Sequence, residues 1–202
     1  MNKYITEFIG TLFLVMGAAF AGGLGAGLAL MVMVYAGGHI SGGHYNPAVT
    51  LAVWMRGKIE LKDALIYWIF QLAGAVAAAL IIVCVFKQEG SASCAIADDG
   101  TYKAIAAELL GTFALAYVVL NVATAKGNNG NSFYGLAIGA TVVLMATMLG
   151  KFSGGAYNPA VAVGLCIQKS FCWNNILIYV FSTLGGGAVA ALVFSLNNPD
   201  DK

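Results

Sequence analysis

A stretch of nine residues that occurs twice constrains the fold of this chain more than any other feature. The first copy, residues 41–49, reads Ser-Gly-Gly-His-Tyr-Asn-Pro-Ala-Val, and the second, residues 153–161, has Ala156 in place of His44. Asparagine is a preferred N-cap residue, and proline is preferred at the first position of a helix. Each copy therefore predicts the start of a helix, at Asn46 and at Asn158.

The two predicted helices, residues 46–55 and 158–168, are too short to cross a bilayer, which requires about 20 residues. As a cap, each asparagine accepts a backbone hydrogen bond through its side-chain oxygen, which leaves its NH₂ group as a donor. The helix behind it adds about half a positive charge at the same end. Short helices and irregular backbone occur at membrane depth only when they pack in protein or line a wet cavity. The pair therefore indicates a pore.

Composition places the chain in a membrane. Hydrophobic residues make up 60% of the 202 residues and charged residues only 9%, whereas a soluble domain carries about 25% charged residues. The polar material is too scarce to cover a water-facing surface, so the lipid bilayer is the expected surrounding. A net charge of +1 shows no basic excess, and we expect no nucleic-acid partner.

Six apolar runs approach the length of a membrane span. They cover residues 4–20, 24–38, 64–86, 104–125, 133–150 and 175–196. The expected fold is an all-α integral membrane protein of six transmembrane helices and two re-entrant half-helices, forming a single channel domain over residues 1–202.

The distribution of Lys and Arg indicates the orientation. With the N-terminus inside, six of these residues are cytoplasmic and four are outside. Because cytoplasmic loops carry the excess of Lys and Arg, we expect a multi-pass protein of the cell membrane with both termini in the cytoplasm.

The two halves of the chain repeat each other in opposite directions. Residues 7–11 read Glu-Phe-Ile-Gly-Thr near the start of the first span, and residues 108–112 read Glu-Leu-Leu-Gly-Thr near the start of the fourth. Three spans separate these openings, so the halves, about 1–100 and 101–202, enter the membrane from opposite sides. Inverted repeats of this kind place the substrate path near the midplane, where the broken helices meet.

These residues resemble the aquaporin, or major intrinsic protein, family. The likeness rests on the paired Asn-Pro-Ala motifs, the lead-in Gly-His-Ile-Ser-Gly-Gly-His over residues 38–44 and the two Glu-x-x-Gly-Thr openings. It implies six tilted helices around one pore per subunit, a homotetramer, and passive conduction of water or small uncharged solutes. We expect no cofactor and no enzymatic activity, since no nucleophile–base pair or metal cluster is evident.

The resemblance also implies roles for individual residues. The pore motifs would be Asn46, Pro47, Ala48, Asn158, Pro159 and Ala160, with both asparagines donating to the permeating molecule. Backbone carbonyls would line the two halves of the path, at Gly42, Gly43, His44 and Tyr45 and at Gly154, Gly155, Ala156 and Tyr157.

The outer selectivity filter departs from the family pattern. The family normally has an arginine three residues after the second asparagine, where this chain has Val161. Counting from the same motifs, the other filter positions fall at Ala26, Ala146 and Gly155. Four small or apolar side chains predict a wide, weakly polar mouth, and passage of solutes the size of glycerol or urea becomes plausible.

A second departure is the length of the first half. Asn46 follows Glu7 by 39 residues, whereas Asn158 follows Glu108 by 50. The missing residues would lie at the outer end of the first two helices, near residues 22–27. Either these helices are short and the bilayer thins around them, or the assignment of Ala26 to the filter is wrong.

Two acidic residues lie within predicted spans, which makes them functional candidates. Glu7 and Glu108 could be proton-relay residues of a transporter. Alternatively, each carboxylate braces a re-entrant loop by accepting hydrogen bonds from its exposed N–H groups. We favour bracing, because the two residues recur symmetrically with Gly-Thr.

Histidine and cysteine indicate no metal site. His39 and His44 are five residues apart without further ligands nearby, and the four cysteines lack metal-type spacing. A hydrogen bond from the ring of His44 that holds the loop is favoured over pH gating. A disulfide between Cys94 and Cys172, which lie in predicted loops on one side, is an open alternative to two free thiols.

Two other functions compete with a passive channel. Inverted repeats are common in secondary transporters, although we find no additional buried charge that could bind a coupling ion. The shortened first half also leaves open a channel relative that conducts poorly and has a structural role.

Overall fold

The computed structural model describes residues 1–92 and 100–201, and within them the regular structure is helical. The long helices are α1 (Asn2–Ser41), α3 (Leu61–Leu80), α4 (Thr101–Val119), α5 (Tyr134–Ser153) and α7 (Ile176–Asn197). The two short helices are α2 (Pro47–Met55) and α6 (Pro159–Ile167). Single π-helical turns extend α3 over Ile81–Val85 and α4 over Leu120–Thr124, and 3₁₀ turns lie at Lys126–Asn128 and Trp173–Asn175.

Helix α1 is two membrane spans joined by a sharp turn. The backbone leaves helical geometry at Ala21 and at Gly22, where φ is 58° and ψ is −145°, a region open essentially to glycine alone. The chain folds back there and brings the two arms into contact. A Cβ built on Gly17 would lie 2.5 Å from the carbonyl oxygen of Gly25. Among the described residues, five helices are long and apolar enough to cross a membrane. With α1 counted as two arms, the six predicted spans are confirmed.

The arms of α1 are not short, so the bilayer does not need to thin around them. Residues 2–20 and 23–41 each form an arm of about 29 Å at 1.5 Å per residue, close to the thickness of the hydrocarbon core. The 11-residue difference between the halves is mostly a difference in connection. Residues 21–22 join the first two spans, whereas residues 125–133 join α4 to α5.

The inverted repeat is visible in the packing. The hydroxyl of Tyr45 donates to the carbonyl of Met33 at 2.9 Å, and that of Tyr157 donates to the carbonyl of Met145 at the same distance. The second arm of α1 thus corresponds to α5 with an offset of 112 residues, and the first arm corresponds to α4. Each half-helix packs against the last span of the other half, α2 on α7 and α6 on α3.

Both ends of the described chain lie on one face of the molecule, here named the terminal face. Lys3 pairs with Asp63 at the start of α3 (2.6 Å), and Arg56 after α2 pairs with Asp201 (2.7 Å). The backbone N–H of Lys126 also donates to Asp201 and lowers the pKa of that carboxyl below its usual value. The opposite face, which carries the turn of α1, is named the turn face.

On the turn face, the chain after α3 covers the end of α6. The backbone N–H of Gly90 donates to the carbonyl of Gln168, and Lys169 pairs with Glu89. Cys172, also on this face, is disulfide-bonded. Its suggested partner, Cys94, lies outside the described residues.

Gly27 and Gly139, which correspond in the repeat, are in mutual contact, and this contact provides a test of the fold. A Cβ on Gly27 would lie 2.6 Å from the carbonyl oxygen of Gly139, and a Cβ on Gly139 would lie 2.4 Å from that of Gly27. Gly27→Ala should therefore lower stability by about 1–3 kcal/mol through overpacking. Thermal unfolding in detergent measures the change.

Gly150→Ala is the matched control, because a Cβ there meets no atom within 4 Å. Alanine favours a helix over glycine by up to about 1 kcal/mol, so this variant should be neutral or stabilising. Equal unfolding temperatures for the two variants would contradict the close α1–α5 contact.

Candidate functional site

The two half-helices meet tip to tip in the middle of the molecule. Each begins at its predicted cap: the side chain of Asn46 accepts from the N–H of Ala48 at 2.8 Å, and that of Asn158 accepts from Ala160 at 2.8 Å. Both asparagines are 2% exposed. The positive ends of α2 and α6 therefore face each other across the centre.

The asparagine amides also bind the opposite loop, which the sequence reasoning missed. The NH₂ group of Asn46 donates to the carbonyl of Tyr157, and that of Asn158 donates to the carbonyl of Tyr45, both at 2.9 Å. An amide nitrogen carries two N–H donors. One donor is thus used to join the loops, and the expectation that the whole NH₂ group is left over is wrong.

Glu7 is fully buried and accepts four hydrogen bonds from the first loop and its surroundings. One carboxylate oxygen accepts from the Ser41 hydroxyl (2.7 Å) and the His44 N–H (3.0 Å). The other accepts from the Tyr45 N–H (2.7 Å) and the Gln71 amide (2.8 Å). His44 and Tyr45 are buried, and a buried donor without a partner is costly, so the carboxylate supplies the partners.

Glu108, also fully buried, repeats this arrangement in the second loop. Its carboxylate accepts from the Ser153 hydroxyl (2.6 Å), the Ala156 N–H (3.0 Å) and the Tyr157 N–H (2.7 Å). The loops need this support because the tyrosine before each Asn-Pro has a positive φ, 49° at Tyr157, which costs energy in a non-glycine residue. These contacts favour bracing of the loop over a proton relay.

A narrow central cavity of about 50 Å³ runs past both asparagine tips. Nearly all of its lining side chains are apolar, and none of the described lining residues is Lys, Arg, Asp or Glu. The first half contributes Leu14, Ala18, Gly22, Gly23, Ala26, Leu30, Gly43, His44, Asn46 and Val49. The second half contributes Leu115, Val119, Ile138, Val142, Gly154, Gly155, Ala156, Asn158, Val161 and Leu165.

Most of the predicted path residues lie on this cavity. Among the residues whose carbonyls are predicted to act as acceptors along the path, Gly43, His44, Gly154, Gly155 and Ala156 border it. Tyr45 and Tyr157 do not border the cavity, and their carbonyls accept hydrogen bonds from the opposite asparagines.

The remaining predicted residues divide between the cavity and its surroundings. Ala26 and Val161 face the cavity. Gly42 borders a larger cavity of about 520 Å³ on the terminal face. The predicted filter residue Ala146 packs against Gly23 of the first hairpin, where a Cβ would lie 2.2 Å from its methyl carbon.

Sequence reasoning missed the apolar residues of the long helices that line the cavity. Leu14, Ala18 and Gly22 in α1 lie four residues apart, as do Leu115 and Val119 in α4. A spacing of four identifies one face of a helix. Since every face of these helices is apolar, the sequence carries no signal that separates the cavity face from the lipid face.

The ring of His44 lies where the central cavity meets a cavity of about 440 Å³ on the terminal face. Its Nδ1 is 3.1 Å from the hydroxyl of Thr50, which also accepts from the amide of Gln71. The ring is therefore held against α2 by a side-chain hydrogen bond. Among the residues the structure describes, no group of three His, Cys, Asp or Glu side chains could hold a metal ion.

Glu108→Gln tests the bracing contacts. A glutamine presents NH₂ where one carboxylate oxygen now accepts, which leaves a buried loop donor without an acceptor and should cost about 1–3 kcal/mol. We expect a lower unfolding temperature in detergent and reduced water permeability in proteoliposomes.

Glu60→Gln is the control, since Glu60 is exposed and makes no side-chain capping bond to α3. If Glu108→Gln kept normal stability and water flux but abolished a proton-driven flux, the relay interpretation would replace bracing.

Two substitutions of Asn46 separate its cap from its cross-loop bond. Serine is a good N-cap but too short to reach the carbonyl of Tyr157, whereas alanine provides neither contact. Asn46→Ser should therefore be more stable than Asn46→Ala by about 1 kcal/mol. Both variants should lose water permeability, measured by stopped-flow light scattering, because both lack the amide at the centre. Normal permeability in Asn46→Ser would show that the amide is dispensable.

Comparison with known proteins identifies relatives along the whole chain. The sequence model of the family described as major intrinsic protein matches residues 1–194. The glycerol uptake facilitator protein-like 6 of Lactiplantibacillus plantarum is 32% identical over 217 residues, with 100% of each chain covered. The aquaporin TIP1-2 of Musa acuminata is 38% identical over 177 residues, which cover 86% of this chain and 69% of the relative.

A solved structure shares the fold. The X-ray structure of the aquaglyceroporin from Plasmodium falciparum superposes with a TM-score of 0.76 at 22% sequence identity, covering 98% of this chain and 95% of that one. At this identity the likeness concerns the fold alone.

Proposed function

Because the chain belongs to the major intrinsic protein family, it is a passive channel for water and small solutes, and we propose that its path admits uncharged solutes the size of glycerol or urea. One observation carries the proposal. Near the turn face the cavity is bordered by Ala18, Ala26, Gly155 and Val161, which are uncharged and mostly small, and a larger Leu165 lies a helical turn further out. A solute there meets small side chains and no fixed cation.

The centre of the path would supply hydrogen bonds to the permeating molecule. Asn46 and Asn158 each retain one amide N–H beyond the bond to the opposite loop, and loop carbonyls on either side offer acceptors. Each hydrogen bond that a water or polyol loses in an apolar tube costs about 1–3 kcal/mol. Donors at the centre with acceptors beyond them therefore lower the barrier to passage.

The same centre would reject cations. Two helix N-termini point at it, each equivalent to roughly half a positive charge, and the described lining residues include no acidic side chain. Central donors also orient the water molecules oppositely in the two halves of the path, which interrupts a proton wire. None of the described lining residues carries a charge, which disfavours a secondary transporter that would hold its coupling ion on an acidic side chain.

This chain is similar to a relative named as a glycerol uptake facilitator, which supports passage of solutes. Other relatives are named as aquaporins. We further propose that the protein forms a homotetramer in the cell membrane, with the terminal face in the cytoplasm. The cationic side chains of Lys3, Arg56 and Lys126 on that face support this orientation through the positive-inside rule.

Val161→Arg tests the proposed outer passage. The long cationic side chain would narrow the path and add a donor that water can use, as in arginine-bearing constrictions. We expect glycerol and urea permeability to fall by about tenfold and water permeability by less than about threefold. Stopped-flow measurement of the three permeants on the same proteoliposomes checks this.

Val161→Met adds length without charge and serves as the control for bulk. Equal loss of water and solute permeability in Val161→Arg would contradict a wide outer passage. So would wild-type solute flux no greater than that of empty vesicles.

A further inference from the structure

The inverted repeat allows the two ends of the central cavity to be compared residue by residue. The first arm of α1 corresponds to α4 with an offset of 101 residues, as Glu7 does to Glu108. The rest of the first half corresponds to the second with an offset of 112, as Asn46 does to Asn158. Every lining position near the turn face therefore has a partner near the terminal face.

The partners are bulkier at the terminal end. Ala18 in α1 corresponds to Val119 in α4, and Ala26 corresponds to Ile138 in α5. All four residues line the same cavity. Valine carries two more carbon atoms than alanine and isoleucine three more, so the terminal end of the path has less space between comparable helix backbones.

The re-entrant loops add to the difference. Ala156 in the second loop corresponds to His44 in the first, whose ring is 6% exposed and tethered to Thr50. Val161 corresponds to Val49, so the half-helices are matched at this level. One pair runs the other way, Leu165 against Val53, but it lies a helical turn further from the centre.

The crowded end is also where two cavities join. Val119 and His44 border both the central cavity and the cavity of about 440 Å³ on the terminal face. Ile138 is 3% exposed and Val119 is 6% exposed. Val119, His44 and Ile138 are together named the neck, since the first two lie where the narrow central cavity opens into this larger one.

We propose that the solute-size limit of this channel lies at this neck, formed by Val119, Ile138 and His44 on the terminal side of the asparagines, and not at the mouth on the turn face. The inference rests on the proposed passage of uncharged solutes. The ligand class is a small uncharged polyol or amide whose width, rather than its charge, decides whether it passes.

The stiffness and close packing of the neck side chains favour a limit on solute size at this place. Val119 and Ile138 are branched at Cβ, which holds their side chains in few rotamers and makes them poor at yielding to a solute. Protein interiors are close-packed, so a permeant wider than the neck must displace packed neighbours. Water, which is smaller, needs no such displacement.

The test removes bulk from the neck and measures a ladder of solutes. Ile138→Ala and Val119→Ala are assayed in proteoliposomes with water, urea, glycerol and the four-carbon polyol erythritol. We expect glycerol permeability relative to water to rise by at least about threefold, and erythritol permeability to exceed that of empty vesicles. Ala26→Ile, which makes the mouth match the neck, should lower glycerol permeability by no more than about twofold.

Three controls keep the result interpretable. Leu110→Ala removes the same kind of bulk from an exposed position of α4 and should leave the ratio unchanged. Val119→Thr keeps the side-chain volume and adds a hydroxyl, so it separates width from polarity. Water permeability equal to or above that of the wild type shows that the alanine variants are folded, since both substitutions create space in a packed core.

The outcomes separate this inference from the function on which it rests. If wild-type vesicles pass no glycerol or urea above background, the proposed function fails. If they do pass these solutes, yet both alanine variants keep the wild-type ratio while Ala26→Ile lowers glycerol permeability by tenfold, the limit lies at the mouth and the neck proposal is overturned. A rise in Val119→Thr equal to that in Val119→Ala would show that polarity, not width, is limiting, and would also overturn it.

Discussion

Satisfaction of backbone hydrogen bonds away from water is the constraint on which this structure depends. The two loops that lead into the half-helices have no helical partners for their N–H groups, and no solvent can replace those partners where the groups are buried in protein. Glu7 and Glu108 meet this demand with carboxylates, which accept several bonds through each oxygen. An apolar side chain at either position would leave those donors unpaired. The free-energy cost of burying two acidic side chains is thus offset by the loop hydrogen bonds that they accept.

Once the loops are held, the rest of the site follows from their ends. The caps aim the half-helices at each other, and the crosswise bonds from Asn46 to Tyr157 and from Asn158 to Tyr45 join the two repeats at the centre. Each asparagine therefore does three things: it begins a helix, ties the opposite loop, and keeps one N–H beyond these two bonds. A single residue type with one acceptor and two donors meets all three requirements.

The two repeats share this frame but differ in what fills it. Near the turn face the cavity has the alanines Ala18, Ala26 and Ala156, whereas near the terminal face valine, isoleucine and histidine occupy the equivalent positions. The compact turn at Gly22 fits the same picture, since it brings the two α1 arms together without a loop above the mouth. A symmetric backbone thus carries an asymmetric path, because side-chain bulk is independent of the packing that generates the repeat.

Local signals in the sequence were enough to define the six spans, the starts of both half-helices and the inverted repeat. Hydrophobic length, N-cap chemistry and a duplicated motif depend only on neighbouring residues, and the resemblance that rests on them already indicated a channel. Tertiary structure decided the rest: the two-residue turn inside α1, the crosswise amide bonds, the place of Ala146 behind Gly23, and the face of each helix that borders the cavity. Those features depend on which surfaces meet after folding. In a membrane protein the lipid face and the cavity face are both apolar, so hydrophobic pattern alone does not distinguish them.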